Sequence, residues 1–163
     1  MDNLAPLGIT GNATTGISAQ FFVTGRPIPQ GSLKFINGHA IHVRAQDLAL
    51  WRANIARIAK SLQLEMATEG VELHLTFVMH KPKTVTRKEP YIRPDIDKLA
   101  RGVLDALTDV LYADDQQVIK LTAIKQYGDT EGVWIKFVDK AKLSRDLFNA
   151  ETAIDNYFNT YSD

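Results

Sequence analysis

Ile96, Leu99, Val103 and Leu107 recur at intervals of three and four, a spacing satisfied by a helix that buries one stripe. Pro94 and Asp95 open that helix, since its first turn has no use for the proline N–H and aspartate is a preferred cap. The buried stripe dictates where the polar groups stand. Asp95 and Asp97 lie one residue apart at the positive end of the helix dipole, which favours ionised carboxylates. Asp97, Arg101 and Asp105 fall at i, i+4 and i+8 on a face separate from the stripe, where an ion-pair ladder can form. Asp114-Asp115-Gln116-Gln117-Val118 follows one loop later, and Asp115 directly precedes an apolar strand expected to carry it to the same place.

Carboxylates gathered without neutralising partners repel one another and lose solvation, so a cluster of Asp95, Asp97 and Asp115 points to a bound cation. Oxygen-only donors suit Mg2+, with Mn2+ as a substitute, because magnesium keeps several waters and needs two or three carboxylates plus a substrate phosphate. Just upstream, Lys81, Lys83, Arg87, Lys88 and Arg93 face only Glu89 between positions 80 and 93, an excess of four positive charges. An acidic metal pocket beside a basic loop is what hydrolysis of a phosphodiester backbone requires, and the loop is the candidate contact to DNA phosphates. Arg101 is the first candidate to steady the charged transition state and Lys98 the second. Each feature also has a plain structural reading: Asp95 as a cap, Asp114-Asp115 as a solvated turn, the basic loop as solvated surface. Arg101 pairing with Asp97 or Asp105 would be an exposed helix pair worth ~0.3–0.5 kcal/mol. The joint pattern favours the metal.

The rest of the chain supplies the frame. Ala19 to Gly25 reads as a strand, closed by Gly25-Arg26-Pro27-Ile28-Pro29-Gln30-Gly31. Leu33–Ile36 and His39–His42 flank Asn37-Gly38, the pair best suited to a type I′ hairpin turn. Leu48, Trp51, Ile55, Ile58 and Leu62 mark an amphipathic helix from Gln46 to about Met66, and residues 71–79 alternate as a half-buried strand. Residues 118–126 and 132–138 read as two strands joined in a hairpin through Tyr127-Gly128-Asp129-Thr130-Glu131. Leu143, Leu147, Ala150, Ile154, Phe158 and Tyr161 mark a C-terminal helix whose narrow apolar seam is expected to dock on its own domain. The class is therefore α+β, a small mixed sheet packed against two main helices with an added C-terminal helix. The expected organisation is a loose tail over 1–17, a nuclease domain over 18–139 and a helical extension over 140–163. Zero cysteines exclude disulfides and thiolate metal sites and fit a reducing cytoplasm, and no apolar run approaches the ~20 residues of a membrane span. A net charge of zero argues against coating nucleic acid through bulk electrostatics and leaves local patches to do the work.

At Pro94-Asp95-Ile96-Asp97, Leu99, Asp105-Ala106-Leu107, Asp114-Asp115 and Gln117-Val118 the chain resembles the RusA-type Holliday-junction resolvases, endodeoxyribonucleases frequent in phages and prophages. The likeness extends to Gly25-Arg26-Pro27-Ile28-Pro29-Gln30-Gly31-Ser32 and Trp51, and covers about residues 19–138. It implies a small mixed α/β homodimer that binds four-way DNA junctions and nicks two strands symmetrically with magnesium or manganese, in recombination and repair. It places the family's metal-binding aspartates on Asp95, Asp97 and Asp115, and its important lysine on Arg101, where arginine keeps the charge but not a readily deprotonated ammonium. The asparagine common after the second aspartate is Lys98 here. No membrane and no small-molecule cofactor are implied.

Two other classes compete: a branched-DNA-binding protein without catalysis, and a metal-dependent nucleotide phosphohydrolase, whose commonest version is weakened by the absence of a Gly-x-x-x-x-Gly-Lys phosphate loop. Phe35, Tyr91 and Tyr112 are the aromatics placed to stack on an exposed base, each with core packing as the plainer role. His39, His42, His74 and His80 have no metal-ligand spacing.

Overall fold

The computed structural model describes residues 18–31, 33–36, 39–42 and 44–160. Residues 1–17 and the Asn37-Gly38 turn lie outside the described residues, and so do the side chains of the flanking strands, Phe35 among them. The elements run β1 (Ala19–Thr24), β2 (Leu33–Ile36), β3 (His39–His42), α1 (Ala45–Ser61), β4 (Val71–Met79), α2 (Ile96–Leu107), a 3-10 turn (Asp115–Gln117), β5 (Val118–Tyr127), β6 (Gly132–Asp139) and α3 (Lys140–Thr160). This is a mixed α+β architecture. One sheet has the order β1-β6-β4-β5, and β2 and β3 pair separately, with Ile36 opposite His39.

β4 is central because it is the most apolar strand: Val71, Leu73, Leu75, Phe77 and Val78 are all buried. Parallel β5 and antiparallel β6 flank it. The expected β5–β6 hairpin is therefore incorrect. The connection crosses the end of β4, where the Gly128 N–H donates to the Met79 carbonyl at 3.1 Å. Lys120, Thr122 and Lys125 make β5 too polar for the middle of the sheet, so the buried strand takes the place between them.

α1 and α2 pack on one face of the sheet. α1 is shorter than its periodicity predicts, because Gln63 turns left-handed at φ 52° two residues after Ser61. Trp51, Ile55 and Ala59 from α1 meet Leu99, Val103 and Leu107 from α2 in one core with β4 and β6. The Gly25–Gly31 segment lies against both helices. A Cβ on Gly102 would come 3.3 Å from the Ile28 carbonyl, and the Gln30 N–H donates to the Lys98 carbonyl at 2.9 Å. α3 starts where the Asp139 carboxylate accepts from the Ala141 and Lys142 N–H groups at 3.0 and 3.2 Å. Among the described residues its seam is exposed rather than docked on the domain as expected, with Leu147 57% and Ile154 55% exposed, while Tyr161 and the side chain of Phe158 lie outside the described residues. No helix among the described residues is long and apolar enough to cross a membrane.

Tyr112 is completely buried, not an exposed stacking platform, and its hydroxyl donates to the Leu104 carbonyl at 3.0 Å. Burial, and secondarily the negative charges of Asp115 and Asp105, push its phenol far above the ordinary 10.0. In the unfolded chain the phenol ionises near that ordinary value, so the native state keeps its full stability below it and loses stability as pH rises towards the raised folded value. Tyr112→Phe is expected to shift alkaline unfolding, followed by circular dichroism, to higher pH, while costing about 1 kcal/mol at neutral pH for the lost hydrogen bond. An alkaline midpoint that does not move would contradict this.

Candidate metal and nucleic-acid site

Asp95 occupies the N-cap position of α2 but makes no side-chain cap hydrogen bond. Its carboxylate accepts instead from the Lys98 ammonium at 2.8 Å, with both side chains about half exposed. Lys98, then Arg93 and Lys125, hold the Asp95 carboxyl below the usual carboxylate range, and Asp95 in turn raises Lys98. Asp97, in the first turn of α2, is exposed and has no hydrogen-bond or ion-pair partner among the described residues.

The ion-pair ladder that the spacing along α2 allows does not form among the described residues. Asp105 pairs with Arg52 of α1, which also contacts Gln30, and Arg101 is exposed with no ion-pair partner among the described residues. The two helices cross close to Asp105, so the cross-helix guanidinium outcompetes the neighbour one turn away. Asp114 is a structural cap: its carboxylate accepts from the Gln116 N–H at 2.9 Å in a capping box with Gln117.

A basic cavity of about 830 Å³ opens beside Asp95, and Arg26, Arg44, Arg87, Arg93, Lys98 and Lys125 line it against the carboxylates of Asp95 and Glu131. The basic loop is ordered against the end of β5. Arg87 Nε donates to the Tyr127 hydroxyl at 2.7 Å, and the Lys81 ammonium lies 5.6 Å from the Tyr127 ring centroid. Lys125 Nζ donates to the Ile92 and Pro94 carbonyls at 2.8 and 2.9 Å, tying the approach to Asp95 to β5. Lys83 and Lys88 remain exposed. Arg26, Arg44 and Lys125 were absent from the sequence-derived set. The only signal available for Lys125 was a lysine late in an otherwise apolar strand, and cations distant in sequence meet only when the sheet assembles.

Asp115 does not join Asp95 and Asp97 within one chain, contrary to expectation. Gln117 Nε2 donates to the Ala67 and Glu69 carbonyls at 3.1 Å, which anchors this turn beside the start of β4. Asp95 stands by Lys125, at the other end of the parallel β4–β5 pair. α2 spans the gap, and a twelve-residue helix is about 18 Å long. Among the described residues no three His, Asp or Glu side chains come together closely enough to hold a metal ion. The strand after Asp115 runs towards Asp95, so Asp115 sits at its far end; the helix's direction and the parallel pairing decide this, and neither is legible locally.

The sequence matches the family Endodeoxyribonuclease RusA over residues 24–137. It is also similar to the uncharacterized protein YqaN of Bacillus subtilis (strain 168), 29% identical over 125 residues, covering 68% of this chain and 88% of that protein. The matched region takes in α1, α2, β4 and β5 and ends within β6, so α3 lies beyond it.

Proposed function

Because the chain belongs to the RusA endodeoxyribonuclease family, we propose that it resolves Holliday junctions by magnesium-dependent hydrolysis, as a homodimer acting in DNA recombination and repair in the bacterial cytoplasm. The observation that carries this reading is the pairing of Asp95 and Asp97 at a helix start, with Asp95 lining the cationic cavity. The donor chemistry fits a hard divalent cation: two exposed carboxylates, one of them without a hydrogen-bond or ion-pair partner among the described residues. Asp95 and Asp97 would hold the metal; Asp115, the third ligand that the family resemblance implies, stands at the far end of α2 in the same chain and would have to come from the second copy of the homodimer. When bound, the metal supplies an acidified water and a Lewis acid for the phosphoryl oxygens.

The remaining steps belong to the chain itself. Lys81, Lys83, Arg87, Lys88 and Arg93 bind the DNA backbone through counterion release, and Tyr127 keeps Arg87 and Lys81 in place. Arg101, one turn beyond Asp97 and free of ion pairs among the described residues, places a permanent positive charge towards the strained phosphate. Lys98, whose ammonium lies 2.8 Å from the Asp95 carboxylate, is placed to be a second cation for the phosphate. Residues 18–139 form the nuclease domain in this reading, with α3 as an extension.

The test incubates labelled four-way junction and matched linear duplex with the protein, with and without magnesium. Paired, symmetric nicks in the junction alone, dependent on magnesium or manganese, are the expected result. Tight junction binding with no cuts under either metal would leave a structure-specific binder, and turnover of free nucleotides would leave a phosphohydrolase.

A further inference from the structure

We infer that the sheet face turned away from α1 and α2 is a binding platform for single-stranded DNA, on which Trp134, propped by Phe22, stacks against a base and Lys136 meets the phosphates. Strand alternation assigns the face. Phe21, Val23, Val133, Ile135, Leu75 and Phe77 all enter the core beneath the helices. Phe22, Trp134 and Thr76 stand between them in sequence and therefore point the other way. The pairing register sets Phe22 opposite Trp134, Trp134 opposite Thr76 and Thr76 opposite Ile124, one row across all four strands. At ~4.8 Å between strands this row is about 14 Å wide.

The row is apolar and open. Trp134 keeps 41% and Ile124 49% of their surface in water, although Trp134 stands on an interior strand. The Phe22 and Trp134 ring centroids are 5.0 Å apart, with the planes tilted by 42°. A Cβ on Gly132 would collide with the Phe22 ring, so this glycine lets the ring lie across β6 and buttress the indole. An indole fixed in this way, with part of its surface still wet, gives a base a flat partner at little cost in side-chain entropy.

Charge selects the occupant. Lys136 follows Trp134 by two residues on the same face and has no ion-pair or hydrogen-bond partner among the described residues. Lys120 and Lys140 share the Glu72 carboxylate at 3.3 and 3.2 Å, so three ammonium groups on this face stand against one carboxylate. That balance suits a polyanion. Gln20, Lys136, His74 and Thr122 form a polar row beside the apolar one, which supplies hydrogen-bonding groups to base edges and phosphates. Bases inside a duplex are stacked on one another and cannot reach the indole, so the ligand is an unpaired strand. It is DNA because the family acts on DNA. α2, which carries Asp97, packs on the opposite face, so the platform is separate from the metal and cavity site and would hold an unpaired arm of a branched substrate.

Tryptophan emission reads this face directly. The chain has two tryptophans and Trp51 is buried, so quenching by an added oligonucleotide reports on Trp134. Oligothymidylate of about ten residues is expected to quench the wild-type emission, and a duplex of equal length to do so at least about tenfold less effectively. In Trp134→Leu the remaining emission should not respond. Lys136→Gln leaves the stacking surface alone and should weaken the quenching titration severalfold, lowering the slope of log affinity against log salt by about 0.7. Cleavage of a fully paired junction is expected to stay within about twofold of wild type in both variants. Wild-type emission that oligothymidylate leaves unchanged, or a Lys136→Gln titration with the wild-type midpoint and salt slope, overturns the platform. So does a Trp134→Leu chain that sediments as a smaller species than wild type, since the face then belongs to a second copy of the chain.

Discussion

Asp97→Asn is expected to lower magnesium-dependent junction cleavage by about a thousandfold while junction affinity stays within about twofold of wild type. Asparagine keeps the shape of the side chain and removes its charge. Asp97 is exposed and has no partner among the described residues, so the exchange breaks no ion pair and leaves the helix start intact. What it removes is an anionic donor at the positive end of α2. Asp95 alone cannot make up for it, since it is already the other carboxylate of the pair and one donor holds magnesium more weakly than two. Binding is expected to survive because the proposed DNA contacts are the cations of the 80–93 loop and the cavity, and losing a negative charge near them does not weaken attraction to phosphate. Gel-shift affinity measured beside single-turnover cleavage separates the two effects. Cleavage within tenfold of wild type would remove Asp97 from the site.

Leu99→Ala is expected to cost about 3–4 kcal/mol, a fall in melting temperature of roughly 10 °C for a chain of this size. Leu99 is completely buried in the core that α2 shares with α1 and the sheet. Truncation leaves a cavity that α1 and the sheet cannot fill without shifting α2, the element that carries Asp95, Asp97 and Arg101. Cleavage should therefore fall as well, even at temperatures where the variant stays folded. Leu147→Ala, at a position 57% exposed on α3, is the control and should change stability by less than about 0.5 kcal/mol. Equal losses in the two variants would mean that α2 is not the packed centre described above.

These two residues mark how far local pattern reaches. The 3-and-4 spacing of Ile96, Leu99, Val103 and Leu107 is a property of neighbouring residues, and it correctly predicts α2, its buried face and the outward direction of Asp97. Trp51 and Ile55 in α1 follow the same rule, as does the alternation of β4. Basic character between positions 80 and 93 is equally local. Element bounds were less secure: α1 stops at Ser61 because a left-handed residue ends it, which no hydrophobic period encodes.

Pairing between distant segments was not legible. Whether β5 turns back on β6 or lies beside β4 depends on which strand gains most from burial on both sides, a comparison made only when the whole sheet assembles. Asp105 found Arg52 rather than Arg101 for the same reason, since an ion pair goes to the cation that packing brings nearest. The sequence by itself determined the helices, most strands, the carboxylate and cation inventory and the family, because short-range periodicity and residue chemistry survive without a fold. Only the tertiary structure decided that β4 and β5 run parallel with α2 between them, and this sets Asp115 at the opposite end from Asp95. Direction and order of strands are global choices, made by the total burial of the sheet.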